Sequence, residues 1–156
     1  MRIIKLGLFS FFFLFLLVTL MSLLIPSHVR LSRATNLPND RSRLFSLLKN
    51  DTAWHPAYQD TASAKTMYSL AKRITEQTDS TLVLQLQQKD RKPVISGWQV
   101  YGRPSTDSMT LQWYMDFRLS WYPWEKFSSM FYERTYGVMM EKGLSNLKKK
   151  MSPGGL

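Results

Sequence analysis

One stretch constrains this chain more than any other: residues 6–25, LGLFSFFFLFLLVTLMSLLI, run for twenty positions without a charge. As a helix rising about 1.5 Å per residue, such a run reaches roughly 30 Å, the thickness of a bilayer's hydrocarbon core. A secretory signal would carry an apolar region of about 7–15 residues and then a small-residue cleavage site. Here the run is longer, and PSHVR follows it. The segment reads as an uncleaved single-pass membrane anchor behind a short basic N-terminus, residues 1–5. There is no cysteine, which excludes lipid attachment through a thioether, disulfides, thiolate zinc sites and a cysteine nucleophile.

The side of the membrane is read in two ways. Arg2 and Lys5 precede the span, whereas Arg30, Arg33, Arg41 and Arg43 follow it, and that imbalance favours a cytoplasmic domain. Yet a basic start before an apolar run is also how an export signal begins. The formal net charge is +10, a balance that attracts anionic lipid, nucleic acid or an acidic partner. The basic residues are mostly scattered, with Arg91-Lys92 and Lys148-Lys149-Lys150 among the few clusters. For a tethered domain, attraction to lipid headgroups accounts for such a surface, and a merely solvated set of lysines accounts for it equally well.

Beyond the anchor, residues 28–37 alternate, with Val29, Leu31, Thr35 and Leu37 on one face, as in a strand. Asp40 stands where a helix cap belongs, and Leu44, Phe45, Leu47 and Leu48 follow at helical spacing. NDTAWHPAY, residues 50–58, is a turn-rich loop around a buried Trp54. Residues 62–77 fit a helix through Ala64, Met67, Tyr68, Ala71 and Ile74, and equally a strand ending at Thr78-Asp79-Ser80. Residues 82–86, 94–101 and 109–119 then alternate as strands of an antiparallel meander.

The last of these strands opens LQWYMDFRLSWYPWEKF, residues 111–127, where seven of seventeen side chains are aromatic. At period two, Leu111, Trp113, Met115, Phe117 and Leu119 share one face, while Gln112, Tyr114, Asp116 and Arg118 share the other. Trp98 and Val100 take the inward face of the preceding strand. Aromatics that stack on nucleobases sit on an exposed face flanked by basic groups, whereas Trp113 and Phe117 lie on the apolar face. Nucleic acid is therefore not the expected partner. From Pro123 a helix is expected to run to Met151, with Phe127, Phe131 and Val138 along one line and Met130, Gly137, Met140, Leu144, Leu147 and Met151 along another.

Strand, helix, meander and long C-terminal helix follow the order of an α+β helix-grip fold, a curved antiparallel sheet wrapped around a terminal helix. The chain resembles the SRPBCC superfamily (START, Bet v 1 and polyketide cyclase-like domains), and in particular its short bacterial members with one N-terminal span. The resemblance rests on IPSHVRLSRATNL, on NDTAWHP and on LQWYMDFRLSWYPWEKFSSMFYERTYGVMMEKGLSNLKKKM, and it covers residues 26–152, leaving 153–156 as a frayed tail. It implies a pocket between sheet and helix for a hydrophobic small molecule or lipid, a strand over residues 66–77, and a bacterial inner-membrane location. The departure is in strand number, five clear strands against the usual seven.

The expected lining of that pocket is Trp98, Trp113, Met115, Phe117, Phe127 and Phe131. Met115, Met130, Met139, Met140 and Met151 would give it a flexible, polarisable wall. Of two histidines, His28 adjoins the membrane and His55 lies in the tryptophan loop beside Pro56, where a local hydrogen bond is its expected role. Asp116 is expected to pair with Arg118 or a neighbouring strand, and Glu125 to cap the helix. No metal-ligand spacing, phosphate loop, nucleophile elbow or cofactor motif is present. The leading reading is a membrane-anchored, non-catalytic binding domain without cofactor or metal. A cyclase- or hydrolase-like enzyme acting on an apolar substrate is the alternative, and an interaction domain with a filled core is a third.

Overall fold

The computed structural model describes residues 2–58, 70–87, 92–103 and 105–152. Helix α1 spans Arg2–Leu23, and its side chains are exposed almost throughout, with Leu6 at 76% and Phe9 at 75%. It is long and apolar enough to cross a membrane, with a mean hydropathy of 2.4 over Ile4–Leu23. Its end is tied to the domain by two bonds to backbone carbonyls: Lys126 Nζ donates to Ile25 O at 2.8 Å, and Leu119 N donates to Ser27 O at 2.8 Å.

Strand β1 (His28–Pro38) leaves this point, burying Leu31 and Leu37 as its alternation predicts. Helix α2 (Arg41–Lys49) begins where Asp40 caps it, the carboxylate accepting from Arg43 N at 3.0 Å, and buries Leu44 and Leu48. Two short 3-10 turns, Asp51–Ala53 and Pro56–Tyr58, hold the fully buried Trp54 between them. The strands β2 (Ala71–Gln77), β3 (Thr81–Gln87), β4 (Val94–Tyr101) and β5 (Ser108–Arg118) complete the sheet. The order is β1-β5-β4-β3-β2, with every neighbouring pair antiparallel. Residues 71–77 are thus a strand, as the resemblance implied; residues 62–69 of that expectation and the tail at 153–156 lie outside the described residues.

The expected single helix from Pro123 to Met151 is instead three pieces. Helix α3 covers Pro123–Ser129, a π-turn covers Glu133–Gly137, and helix α4 covers Val138–Met151. The wider turn rotates the side chains that follow away from the line drawn by a uniform 100° per residue. Val138 therefore faces outward, at 59% exposure, and Phe131, in the turn between α3 and the π-turn, is exposed at 63%, while Tyr132 and Tyr136 turn in and pack on Phe117 with ring centroids 4.8 and 4.7 Å away. Arg33 holds the rotated segment to β1, bonding Glu133 in the π-turn and Glu141 on α4, the latter at 2.8 Å. A Cβ on Gly137 would lie 3.0 Å from that guanidinium, so glycine leaves the clamp room.

Candidate functional site: a cavity in the α1-proximal half of the grip

The inner face of the sheet and the π-turn/α4 segment border a cavity of about 1010 Å³, at the upper end of the size range of small-molecule sites. Because residues alternate along each strand, the lining comes from every second position: Leu84 and Leu86 of β3, Val94, Ser96 and Trp98 of β4, and Trp113, Met115 and Phe117 of β5. Tyr132, Thr135, Tyr136, Val138 and Met139 form the opposite wall. The cavity stops at an aromatic floor. Trp98 stacks on Trp113 (5.7 Å between centroids, 19° between planes), and Trp113 meets Trp54 and His55 edge-on at 5.8 and 5.5 Å. The Trp113 indole N–H donates to Ser96 Oγ at 2.9 Å, so its polar atom is satisfied within the floor.

Helix α4 reaches this floor because Gly143 has no side chain: a Cβ there would lie 2.9 Å from Trp113 Cζ3 and 3.4 Å from Trp54 Cζ3. Several lining residues are also exposed and mark the rim, namely Lys92, Tyr122, Trp124, Thr135, Val138 and Lys142. Their order along the chain takes the rim from the foot of α1, where α3 begins, along the π-turn and onto α4.

Of the six side chains expected to line a pocket, Trp98, Trp113, Met115 and Phe117 do so. Phe127, within α3, is half-buried outside the cavity, and Phe131, in the turn that follows α3, is exposed. Met139 lines the cavity, whereas Met140 and Met151 belong to the solid core and Met130 is exposed at 68%. The sequence reading missed Tyr132 and Tyr136. The signal was present, since Tyr132, Tyr136, Met140, Leu144, Leu147 and Met151 follow one another at spacings of four and three.

His55 combines the expected local bond with a place the sequence did not reveal. Its Nδ1 accepts from Ala57 N at 3.2 Å, which assigns the ring proton to Nε2. The ring is nevertheless 4% exposed and lines the cavity beside the floor. Burial lowers its pKa from 6.5 to about 4, with Asp51 opposing and Lys72 adding to that shift. At neutral pH the ring is uncharged. Asp51 and Lys72 stand nearby as an ion pair at 2.6 Å that ties β2 to the loop after α2.

The outer face of the sheet carries a separate polar network. Asp116 pairs with Arg30 on the neighbouring strand through two bonds of 2.6 Å, the second of the two arrangements expected for it. The guanidinium also lies over the Tyr114 ring at 4.8 Å; the Arg30 pKa is raised chiefly by its bond to Asp116, and burial raises that of the Tyr114 phenol. Glu125 reaches back from the first turn of α3 to accept from Ser120 N at 2.9 Å. Among the described residues, no group of three or more histidine or acidic side chains could hold a metal ion.

A curved antiparallel sheet, five-stranded among the described residues, gripping a C-terminal helix over a largely apolar cavity defines the class: this is a helix-grip fold. No protein-family model matches the sequence, and no curated relative does. Solved structures do. Major latex-like protein 151 from Panax ginseng superposes with a TM-score of 0.55 at 10% identity, over 82% of this chain and 100% of that one. A START superfamily protein from Mycobacterium smegmatis gives 0.53 at 12% identity, over 78% and 96%. The di-domain ARO/CYC StfQ of the steffimycin biosynthetic pathway gives 0.54 at 7% identity, over 80% of this chain and half of the other.

Proposed function

We propose that the chain is a single-pass membrane protein whose helix-grip domain binds a hydrophobic small molecule or lipid beside the bilayer, without catalysis. The observation that carries the reading is the cavity of about 1010 Å³ walled by Trp98, Met115, Phe117, Tyr132 and Met139. Aromatic and thioether walls accept irregular apolar shapes. The anchor rests on α1, whose 22 residues reach about 33 Å and expose apolar side chains that only lipid would solvate favourably. Its apolar run of twenty residues exceeds that of a signal peptide.

His55 supports a second reading, a cyclase- or hydrolase-like activity on an apolar substrate, because it is the one histidine in the cavity wall. Its chemistry fits binding better. A general base works best with a pKa near the operating pH, whereas His55 sits near 4 and presents its ring nitrogen on the other side as a donor.

The test is native mass spectrometry with lipid extraction on residues 27–156 purified from the native host. A co-purifying apolar ligand is expected, lost when Met139→Trp fills the cavity and kept when Leu47→Ala alters the far end of the grip. A bare mass for the unaltered chain, with no uptake of added lipid, sinks the binding reading and leaves a filled interaction domain.

A further inference from the structure

The aromatic run that begins in the cavity does not stay there. Trp121, Tyr122 and Trp124 are 65%, 40% and 65% exposed, although apolar rings of this size are normally covered. They form one stack, with Trp121–Tyr122 and Tyr122–Trp124 centroids each 4.8 Å apart. Phe131, in the turn that follows α3, is also exposed. The stack is fixed in place: Pro123 starts α3, Glu125 closes the turn onto Ser120, and the buried Lys126 bonds Ile25 O at the end of α1.

What covers these rings follows from that attachment. Tryptophan and tyrosine collect at the membrane–water boundary, where the ring body is apolar and the N–H or O–H remains wet. Leu24 and Ile25 end the apolar run, so a bilayer spanned by α1 has its boundary at this level. Lys92 and Arg118, exposed on the same rim, match the phosphates of that layer.

Resting on the membrane anchoring proposed above, we infer that Trp121, Tyr122, Trp124 and Phe131 form a second contact with the bilayer and seat the cavity rim among the lipid headgroups. Tyr122 and Trp124 belong to both the stack and the rim. The ligand then passes between bilayer and cavity without crossing water, which makes the ligand class a bilayer-soluble lipid rather than a dissolved metabolite.

The absence of cysteine makes the test direct. Trp121→Cys, Phe131→Cys and, as a reference on the far part of α4, Ser145→Cys would each be labelled with a polarity-sensitive fluorophore on the full chain in phosphatidylcholine vesicles. Blue-shifted emission at 121 and 131, with a water-like spectrum at 145, is expected. Water-like emission at 121 and 131 in a chain that resists alkaline carbonate extraction overturns the docking and leaves the anchor standing. Release of the chain by carbonate overturns the anchor, and the docking falls with it.

Discussion

The two halves of the grip use the same kinds of residue to opposite ends. In the distal half, Leu37, Leu44, Leu48, Leu82, Val100, Met109, Leu111, Leu144 and Leu147 are buried against one another and none lines the cavity. In the proximal half, Met115, Phe117, Tyr132 and Met139 face the same sheet–helix gap and leave about 1010 Å³ of it open. Composition does not separate them. Helix α2 does, because it plugs the distal end with Leu44 and Leu48, while the proximal end is walled by a π-turn that stands off the sheet on tyrosine rings. An apolar stripe becomes core or pocket according to whether a second element covers it.

The largest expected effect tests that contrast. Leu147→Ala removes side-chain volume from the closed half, where the fold relaxes only partly, and should destabilise by about 2–5 kcal/mol. Met115→Ala enlarges a space already open and loses fewer contacts, so it should cost about half as much. Urea unfolding of the full chain in micelles measures both. Equal losses would mean that the proximal half packs as tightly as the distal half.

The floor between the halves has its own signature. His55 is harder to protonate in the folded chain than in the unfolded one, so its contribution is complete above pH 6.5 and lost as the pH falls toward about 4. A shift of that size corresponds to about 3 kcal/mol at most. Thermal unfolding between pH 7 and 4 should show the decline, and His55→Gln should flatten it. An unchanged slope in the variant would place the acid sensitivity elsewhere.

Much of this was legible before any coordinates. The strict alternation of residues 109–119 put Trp113, Met115 and Phe117 on the inner face, and Asp40 marked the start of α2. Three features were not. His55 carries no local sign of being in a cavity wall, because the contact that puts it there is with Trp113, more than fifty positions away. The break after α3 is invisible to a wheel drawn at constant pitch, so Phe131, which sits in it, was turned inward by arithmetic that the backbone does not follow. The aromatic stretch divides after Leu119, where the strand was expected to end, but nothing in the residues told that, with Trp113 and Phe117 turned inward, Trp121 and Trp124 stay exposed. Period-two reasoning ends where the strand ends.

The floor also depends on the approach of α4, and Gly143→Ala sharpens this point. The added methyl would meet Trp113 Cζ3 at 2.9 Å, a contact with a ring held by Trp98, Trp54 and its own hydrogen bond. Overpacking of this kind costs about 1–3 kcal/mol, set against a helix-propensity gain of about 1 kcal/mol for alanine over glycine. Near-ultraviolet circular dichroism should report the displaced tryptophans even if the midpoint moves little. A stabilised variant with an unchanged tryptophan signal would show that the helix has slack over the floor.

The smallest effect is expected at the clamp that holds the proximal wall. Arg33 bonds Glu133 and Glu141 at once, but both carboxylates are more than half exposed, and exposed pairs contribute about 0.2–1 kcal/mol. Its guanidinium is held more basic than usual, first by the bond to Glu133 and then by that to Glu141, and the separation between charges remains small only while the π-turn keeps its register. Glu141→Gln should therefore leave the unfolding midpoint nearly unchanged, and salt should erase what difference there is. Hydrogen exchange over residues 133–142 is the more sensitive measurement. Faster exchange confined to that segment, with residues 144–151 unaffected, would show that the proximal wall opens independently of the distal core. Exchange rising uniformly along α4 would join the two halves into one cooperative unit.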